Sequence, residues 1–370
     1  MSSSAAGPPG IATTGAQPPP CVLLLHVVDE PCQLGGVERV LELLGRGLQE
    51  GPWRLMAAVN RGELHDRWVA AGLEVAVLPP RRPLVSFALA VHRLLSRERP
   101  ALVHSQHRLT TLLAHVRPGR GYRLLHTFPV EHTDKRHLAR FGDRQIAVSR
   151  AVRDHAAEHY DLDASRIDVV YNGVPPAPPG LVPLPGRAGG RLRAVVVARL
   201  TEQKGQRVLL EALRLLEPSV RLRLEVILVG DGPDREALEA RAREIGVASS
   251  LVFAGHQDDV YPYLAGADFA LLPSLWEGFP LVILEAFECA RPVVATAVAG
   301  VPEIVDESVG RVVPAGSPEA LAAALTEMVE ESGHLPALGA AALRRVRESF
   351  SLERMLEGYA RTFRRLLAER

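Results

Sequence analysis

Two glutamates in the segment WEGFPLVILEAF, residues 276–287, are of the type and spacing to bind a polar ligand. Glu277 precedes a Gly-Phe-Pro turn, and Glu285 lies within an apolar run. Because proline fixes its own φ and lacks an N–H, the segment predicts a helix from about Pro280 to about Cys289. Glu277 is then just outside the helix N-terminus. Glu285 lies five residues beyond Pro280, roughly 7.5 Å further along the axis.

The apolar surroundings of Glu285 limit what it can do. A helix that is apolar nearly all round is buried, and a buried carboxylate without partners is unfavourable. Glu285 therefore needs hydrogen-bond donors, which are either ligand hydroxyls or a structural arginine or backbone N–H. The N–H groups of Leu281 and Val282 point out of the predicted helix start, where the helix dipole favours an anion such as a phosphate.

The composition narrows the class of protein. The chain has 370 residues, of which 47% are hydrophobic and 23% charged, so a soluble globular protein of two domains is expected. Basic and acidic residues both number 43, which gives no general indication of nucleic-acid binding. Three cysteines without metal or disulfide spacing favour a reducing compartment. We find neither a signal-peptide pattern nor an apolar run of transmembrane length, which predicts a cytoplasmic location.

The order of elements predicts two domains. Residues 1–20 are small and Pro-rich, which is typical of a disordered tail. Residues 21–172 and 192–348 each alternate apolar strands with amphipathic helices, separated by a Pro/Gly-rich linker at 173–191. Residues 349–370 form a final amphipathic helix. This alternation predicts an α/β protein with two Rossmann-like parallel sheets, whose ligands bind outside the carboxyl ends of the strands.

Several motifs, taken in order, resemble retaining, nucleotide-sugar-dependent glycosyltransferases of family 4. They are EGFPLVILE, VVVARLTEQKG, LVGDGPDR, IAVSRAVRDH followed by IDVVYNGV, and, in addition, GGVERV and AVAGVPEIV. The resemblance covers residues 21 to 365 or so and implies the GT-B fold, in which the two sheet domains face each other across a cleft. It also implies that the final helix crosses back to pack on the N-terminal domain.

The resemblance implies an activity and roles for individual residues. A sugar would pass from a UDP- or GDP-sugar to an acceptor hydroxyl with retention of anomeric configuration. Arg199 and Lys204 would clamp the donor diphosphate, where cations stabilise the charge that grows on the leaving group. Glu285 would accept hydrogen bonds from the ribose hydroxyls and Glu277 would contact the donor sugar. For the two basic residues, the ordinary alternative is an exposed surface position.

Further donor-binding candidates are positions whose backbone groups are expected to contact the donor. Gly35 and Gly36 would bring N–H groups from the other domain toward the phosphate. The remaining candidates lie at the turn after one strand and around the start of the glutamate-bearing helix: Gly230, Gly278, Phe279, Pro280, Leu281 and Val282.

A histidine that faces the donor sugar is harder to assign. The family commonly carries Thr-x-His after an N-terminal strand, but here this position reads Thr-Phe-Pro, with Pro129 in place of the histidine. A second form, Glu-His-x, matches His132, which is the first candidate for a catalytic residue, and His126 is the second. In a retaining enzyme of this kind the histidine would position and stabilise the sugar and would not attack it.

Cofactors and the acceptor complete the prediction. No Asp-x-Asp metal motif lies at the expected place, and the resemblance implies no cofactor or metal apart from the donor substrate. The sequence does not identify the acceptor, which is a glycan, a lipid-linked molecule or a small molecule. It also does not decide between a role in cell-envelope glycan synthesis and one in natural-product synthesis. In the segment TTLLAHVRPGRGYR, basic residues follow an apolar helix face, a pattern that permits at most peripheral contact with the inner membrane face. The favoured interpretation is a helix whose apolar face packs on the protein core and is followed by a basic loop.

Two other functions remain as alternatives. One is a sugar-nucleotide epimerase or phosphorylase of the same fold, and the other is a non-catalytic nucleotide-sugar-binding protein. A dinucleotide oxidoreductase is disfavoured because GDGPDREAL has only the first two glycines of the G-x-G-x-x-G turn.

Overall fold

The computed structural model describes residues 18–28, 35–117, 119–131, 140–184 and 190–369. Within these ranges the expected α/β architecture with two parallel sheets is confirmed. The predicted tail therefore lies almost entirely outside the described residues, as does His132.

The N-terminal sheet consists, in the described part of the chain, of seven parallel strands: β1 (Cys21–Leu25), β2 (Arg54–Asn60), β3 (Glu74–Leu78), β4 (Leu102–Ser105), β5 (Arg123–Phe128), β6 (Arg144–Ala147) and β7 (Ile167–Val169). Their order is β3-β2-β1-β4-β5-β6-β7. The described connections between these strands contain five helices: α1 (Gly36–Gly47), α2 (Glu63–Ala70), α3 (Leu84–Glu98), α4 (Arg108–His115) and α5 (Arg150–Tyr160).

The C-terminal sheet has, among the described residues, six parallel strands: β8 (Leu192–Val197), β9 (Leu224–Val229), β10 (Leu251–Gly255), β11 (Phe269–Leu272), β12 (Val293–Thr296) and β13 (Gly310–Val313). Their order is β10-β9-β8-β11-β12-β13. The helices here are α6 (Gln206–Leu215), α7 (Pro218–Arg221), α8 (Arg235–Glu244), α9 (Tyr261–Ala265), α10 (Leu281–Glu288), α11 (Val301–Ile304), α12 (Pro318–Glu330), α13 (Leu335–Ser349) and α14 (Leu352–Ala368).

Burial explains why the strands read as continuous apolar runs. Val22, Leu23 and Leu24 in β1 are all fully buried, because helices cover both faces of a parallel sheet. The continuous apolar run CVLLLHVVDE, residues 21–30, predicts a strand of that length, but β1 ends at Leu25. Four helices were not predicted from the sequence: α2, α13 and the four-residue helices α7 and α11. In α2 only Leu64 and Trp68 are buried, too few to give a clear helical period.

Helix α14 returns to the N-terminal domain, although it follows the C-terminal sheet in sequence. Tyr359 and Phe363 are fully buried, and the ring of Phe363 lies 5.6 Å from that of Trp53. The Tyr359 hydroxyl donates to Thr127 Oγ1 at 3.4 Å. The apolar face of this amphipathic helix thus completes the core under the N-terminal sheet.

The chain crosses between the domains at two neighbouring places. At the first crossing Val174 donates its N–H to Phe350 O at 3.3 Å, and at the second Leu352 donates its N–H to Val174 O at 3.0 Å. The rings of Tyr171, Phe279 and Phe350 pack together, with centroids 5.1 to 5.5 Å apart. The two crossings and the aromatic cluster therefore form one connected unit.

In the described part of the chain, no helix has both the length and the apolar character that are needed to cross a membrane.

Candidate active site

Lys204 and Glu277 form an ion pair at the carboxyl end of the C-terminal sheet. Strand β8 leads into a short 3-10 turn, Glu202–Lys204, followed by Gly205 with φ of 65°. A Cβ on Gly205 would lie 1.9 Å from Pro273 O, so glycine is required for the loop to lie against the end of β11. This close approach brings Lys204 Nζ to 2.6 Å from Glu277 Oε1.

The Glu277 carboxylate is held from a second side. Its Oε1 also accepts a hydrogen bond from Ser274 Oγ at 2.7 Å, and Ser274 is fully buried. Thr296 Oγ1 donates in turn to Ser274 O at 2.5 Å. With Glu277 only 7% exposed, its charge is compensated by Lys204 and its position is fixed. Ser274 follows β11, and nothing in its sequence context distinguished it.

Arg199 lies on the same connection as Lys204 and has an exposed side chain. Its carbonyl accepts a hydrogen bond from Gln206 Nε2 at 3.0 Å, which ties the connection to the start of α6. Gly230 follows β9 with φ of 138°, and a Cβ there would lie 2.1 Å from Ala198 O. Its N–H already donates to Gly255 O at 2.8 Å, so Gly230 shapes the loop beneath Arg199 and does not offer that N–H to a ligand.

Glu285 lies in α10 with its side chain partly buried. The helix begins at Leu281, one residue later than the predicted start at Pro280, which is the N-cap residue. No hydrogen bond or ion pair to the Glu285 carboxylate occurs among the described residues. Burial raises the pKa of this carboxyl, and the positive charge of Arg39 lowers it in part. A structural hydrogen-bond partner, one of the two alternatives, is therefore not found in the described part of the chain.

Arg39 belongs to α1 in the N-terminal domain and was not singled out from the sequence. It acts electrostatically on both Glu285 and Tyr261, so α1 lies across the cleft from α10. Its own ion pair is with Glu42, at 3.0 Å. Its position directly after Glu38 in GGVERV is the only signal that the sequence offered.

The glycine turn before α1 is held by Glu38. Gly35 and Gly36 are exposed, and Gly35 donates its N–H to Glu38 Oε2 at 2.9 Å. The other carboxylate oxygen lies 3.3 Å from Nε2 of the buried His26. Burial alone would raise the pKa of Glu38, but the hydrogen bonds with His26, its own backbone and Gly35 lower it overall. The Gly35 N–H is thus engaged within the turn.

Gly278 is where the two domains meet backbone to backbone. A Cβ at this position would lie 1.9 Å from Pro129 O and 3.1 Å from Val130 Cα. The next carbonyl, that of Phe279, accepts a hydrogen bond from Asn172 Nδ2 at 2.9 Å. That carbonyl is therefore not available to a sugar or phosphate. The first N–H groups of α10, those of Leu281 and Val282, have no side-chain cap.

His126, the second histidine candidate, lies inside the N-terminal domain. It is fully buried in β5, its Nδ1 lies 2.8 Å from Thr111 Oγ1, and its ring packs between Phe128 and Phe141. A side chain without exposed surface does not reach a ligand in the cleft, so the structure does not place His126 at the site. Pro129, by contrast, contacts Gly278, which brings the segment just before the first candidate, His132, next to Glu277.

A metal ion is held by a group of three or more histidine, cysteine, aspartate or glutamate side chains. The described ranges contain no such group. Arg199, Lys204, Glu277 and Glu285 are the charged candidate residues on the C-terminal side, next to the uncapped N–H groups at the start of α10.

The chain is similar in sequence to known glycosyltransferases. A family model described as "Glycosyltransferase Family 4" matches residues 34–177, and one described as "Glycosyl transferases group 1" matches residues 191–331. Alpha-maltose-1-phosphate synthase of Mycolicibacterium smegmatis is 30% identical over 279 residues, 68% of this chain and 71% of that protein. The chain belongs to glycosyltransferase family 4.

Other relatives of this family 4 chain match over less of their length. D-inositol 3-phosphate glycosyltransferase of Streptomyces coelicolor is 32% identical over 233 residues, 55% of this chain and 51% of that protein. The chain thus spans about half the length of this curated relative.

Solved structures identify the fold. HepE of Anabaena in complex with UDP superposes with a TM-score of 0.78 at 21% identity, covering 92% of this chain and 99% of that one. Sucrose-phosphate synthase of Thermosynechococcus elongatus gives a TM-score of 0.80 at 20% identity, covering 95% and 100%. The expected GT-B fold is thereby confirmed for this family 4 chain.

Proposed function

We propose that this chain transfers a sugar from a nucleoside-diphosphate sugar to an acceptor hydroxyl. The observation that carries the proposal is the Glu285 carboxylate, which is partly buried in an apolar helix and has no hydrogen-bond donor among the described residues. A ribose diol supplies two hydroxyl donors to such a carboxylate and offsets its desolvation. The proposal also agrees with the glycosyltransferase relatives named above and with the UDP bound to HepE.

The diphosphate is assigned to Arg199, Lys204 and the uncapped start of α10. Cations and free helical N–H groups stabilise an anion, and they act most strongly where charge grows as the nucleoside diphosphate departs. Glu277, next to Lys204, is assigned to the hydroxyls of the donor sugar. Since Lys204 is bound to Glu277 without a ligand, an arriving diphosphate competes with Glu277 for the ammonium group.

Retention of anomeric configuration follows from the proposed chemistry. The acceptor hydroxyl attacks the anomeric carbon on the face from which the diphosphate leaves. Its proton passes to the leaving phosphate oxygen, and the C–O bond to the phosphate breaks as the new glycosidic bond forms. No separate base is needed, and His132 is proposed to position the sugar.

A donor screen tests the proposal. The protein is incubated with UDP- and GDP-sugars, and its thermal midpoint and slow hydrolysis of the donor are measured without an acceptor. Glu285→Ala and Lys204→Ala are compared with Glu330→Gln, an exposed glutamate on α12. We expect one or two donors to stabilise the wild type and the control but neither site variant. Absence of any shift with nucleotide sugars, and with millimolar UDP and GDP, would refute the assignment.

A further inference from the structure

A cavity of about 290 Å³ lies between strand β7 and helix α14, away from the Lys204–Glu277 pair. Its walls include Asp168 and Val169 from β7 and three arginines from α14: Arg354, Arg361 and Arg365. Positions 354, 361 and 365 follow the helical repeat, so the three guanidinium groups share one face of the helix. The cavity shares no lining residue with the proposed donor site.

The positive charge in this cavity is largely uncompensated. Neither the Arg354 nor the Arg361 guanidinium forms an ion pair or hydrogen bond within the described ranges, and both side chains are exposed. Arg365 lies 3.9 Å from Asp168 Oδ1 and 3.4 Å from Glu369 Oε1. Like charges placed side by side repel one another, and a bound anion relieves that repulsion.

Asp168 cannot neutralise the three arginines because it is already engaged. Its oxygens accept hydrogen bonds from Arg144 Nε at 2.8 Å and Nη2 at 2.9 Å. Thr362 Oγ1 donates to it as well, at 3.1 Å. Burial acts to raise the pKa of Asp168, but the Arg144 hydrogen bonds and charge outweigh it and lower that pKa. Asp168 therefore remains ionised in its pair with Arg144.

The open edge of the sheet adds a backbone donor. Strand β7 is the last strand of its sheet, and Val170 donates its N–H to Ala147 O on the β6 side. Because alternate residues of a parallel strand bond to the same neighbour, the N–H of Val169 points to the open edge. Val169 also lines the cavity, so the open edge of β7 lies beside it.

We propose that this cavity binds the phosphate group of a phosphate monoester. Guanidinium groups bind phosphate with paired hydrogen bonds, and a dianion matches the unpaired charges of Arg354 and Arg361. The monoester is either a free small molecule or the headgroup of an anionic lipid, since both present the same dianion. The site is distinct from the donor site and does not depend on the proposed function.

Calorimetric titration with glycerol 3-phosphate tests the free form. The titration uses the full chain carrying Lys204→Ala, which removes a phosphate contact from the cleft. The test variant adds Arg354→Gln and Arg361→Gln, and the control adds Arg364→Gln, an exposed arginine of α14 outside the cavity lining. We expect saturable binding that weakens at least tenfold in the test variant and changes less than twofold in the control.

Vesicle sedimentation tests the lipid form with the same variants. Vesicles of phosphatidylcholine with phosphatidic acid are compared with phosphatidylcholine alone. Selective loss of binding in the test variant, in either experiment, supports the site. The experiment that shows the loss identifies the ligand as a free monoester or as a lipid headgroup. No binding in both, or equal losses in test and control variants, overturns it. Unchanged thermal midpoints verify that the variants are folded. Nucleotide-sugar binding is measured separately with the chain that retains Lys204. That measurement distinguishes failure of the phosphate-site proposal from failure of the proposed function.

Discussion

The Glu303 carboxylate in the C-terminal domain accepts the backbone N–H of Ala151 at 2.9 Å, at the start of α5 in the N-terminal domain. The same carboxylate accepts the N–H of Arg150 at 3.1 Å and the hydroxyl of Tyr171 at 2.8 Å. Burial and this hydrogen bond raise the pKa of Tyr171 to about 12, so the hydroxyl remains a donor at neutral pH. One side chain therefore caps a helix of the opposite domain.

Glu303→Gln is expected to loosen the contact between the domains. The amide retains one acceptor but loses the charge, which is unfavourable by about 1–3 kcal/mol for hydrogen bonds to a charged group. Urea denaturation and the radius of gyration in solution measure the effect as lower stability and a wider particle. Glu307→Gln, an exposed neighbour, is the control and should match the wild type. An unchanged radius and midpoint in Glu303→Gln would show that the cap does not hold the domains.

Glu285→Gln is expected to stabilise the ligand-free protein while it weakens donor binding. Burial raises the folded pKa of Glu285 above the reference value of 4.5, so its contribution to stability is full below that value and is lost as pH rises through the folded pKa. Glutamine avoids the buried charge. The thermal midpoint of the variant should therefore exceed that of the wild type at pH 8, with the difference vanishing near pH 4.

The same variant separates stability from function. Loss of hydrogen bonds to a charged group predicts roughly tenfold or greater weakening of UDP- or GDP-sugar binding in calorimetry. Glu330→Gln, exposed on α12, should change neither property. A Glu285→Gln protein that is less stable than the wild type at pH 8 would indicate that the carboxylate has a structural partner after all.

Lys204 and Glu277 are expected to be energetically coupled. Lys204→Met or Glu277→Gln alone leaves a partly buried group without its partner, and because the lysine side chain is 22% exposed the loss should be about 1–3 kcal/mol. Urea denaturation of both single variants and the double variant gives the coupling free energy. The exposed pair of Arg67 and Glu63 serves as the reference, with about 0.5 kcal/mol or less. Strictly additive losses at Lys204 and Glu277 would contradict a coupled pair.

Gly278→Ala is expected to prevent the domains from meeting as they do here. The added Cβ would lie 1.9 Å from Pro129 O, and since that atom belongs to the backbone, a domain must shift. Donor turnover should fall at least tenfold while circular dichroism remains native. Gly333→Ala is the matched control, because a Cβ there meets nothing within 4 Å and φ is not in the left-handed region. Turnover by Gly278→Ala close to that of the control would show that this contact is dispensable.

Local patterns predicted most of the elements and the positions of the two glutamates before and within α10, because each depends on residues close in sequence. The turn before Leu281 and the apolar run around Glu285 specify α10 to within a residue. By contrast, Arg39 and Glu303 act on residues of the opposite domain, and Ser274 is held by Thr296 at the end of another strand. Their sequence contexts carry no sign of that contact, so they could not be predicted.

The histidine shows a second limit of sequence reasoning. His126 had suitable neighbours in sequence, but the alternation of side chains along β5 directs it into the core toward Phe141. Both faces of β5 are covered, and every residue from Leu124 to Phe128 is buried, so neither face of the strand offers a side chain to the cleft. His132 lies outside the described residues and stays a prediction.

The paired crossings at Val174 and Leu352 determine how the cleft can open. One flexible connection would let the domains twist about any axis. Two adjacent segments joined by hydrogen bonds restrict the domains to bending at the crossings. The crossings lie beside the aromatic cluster of Tyr171, Phe279 and Phe350. Bending there changes the separation of Arg39 and Glu285, because the two residues belong to opposite domains.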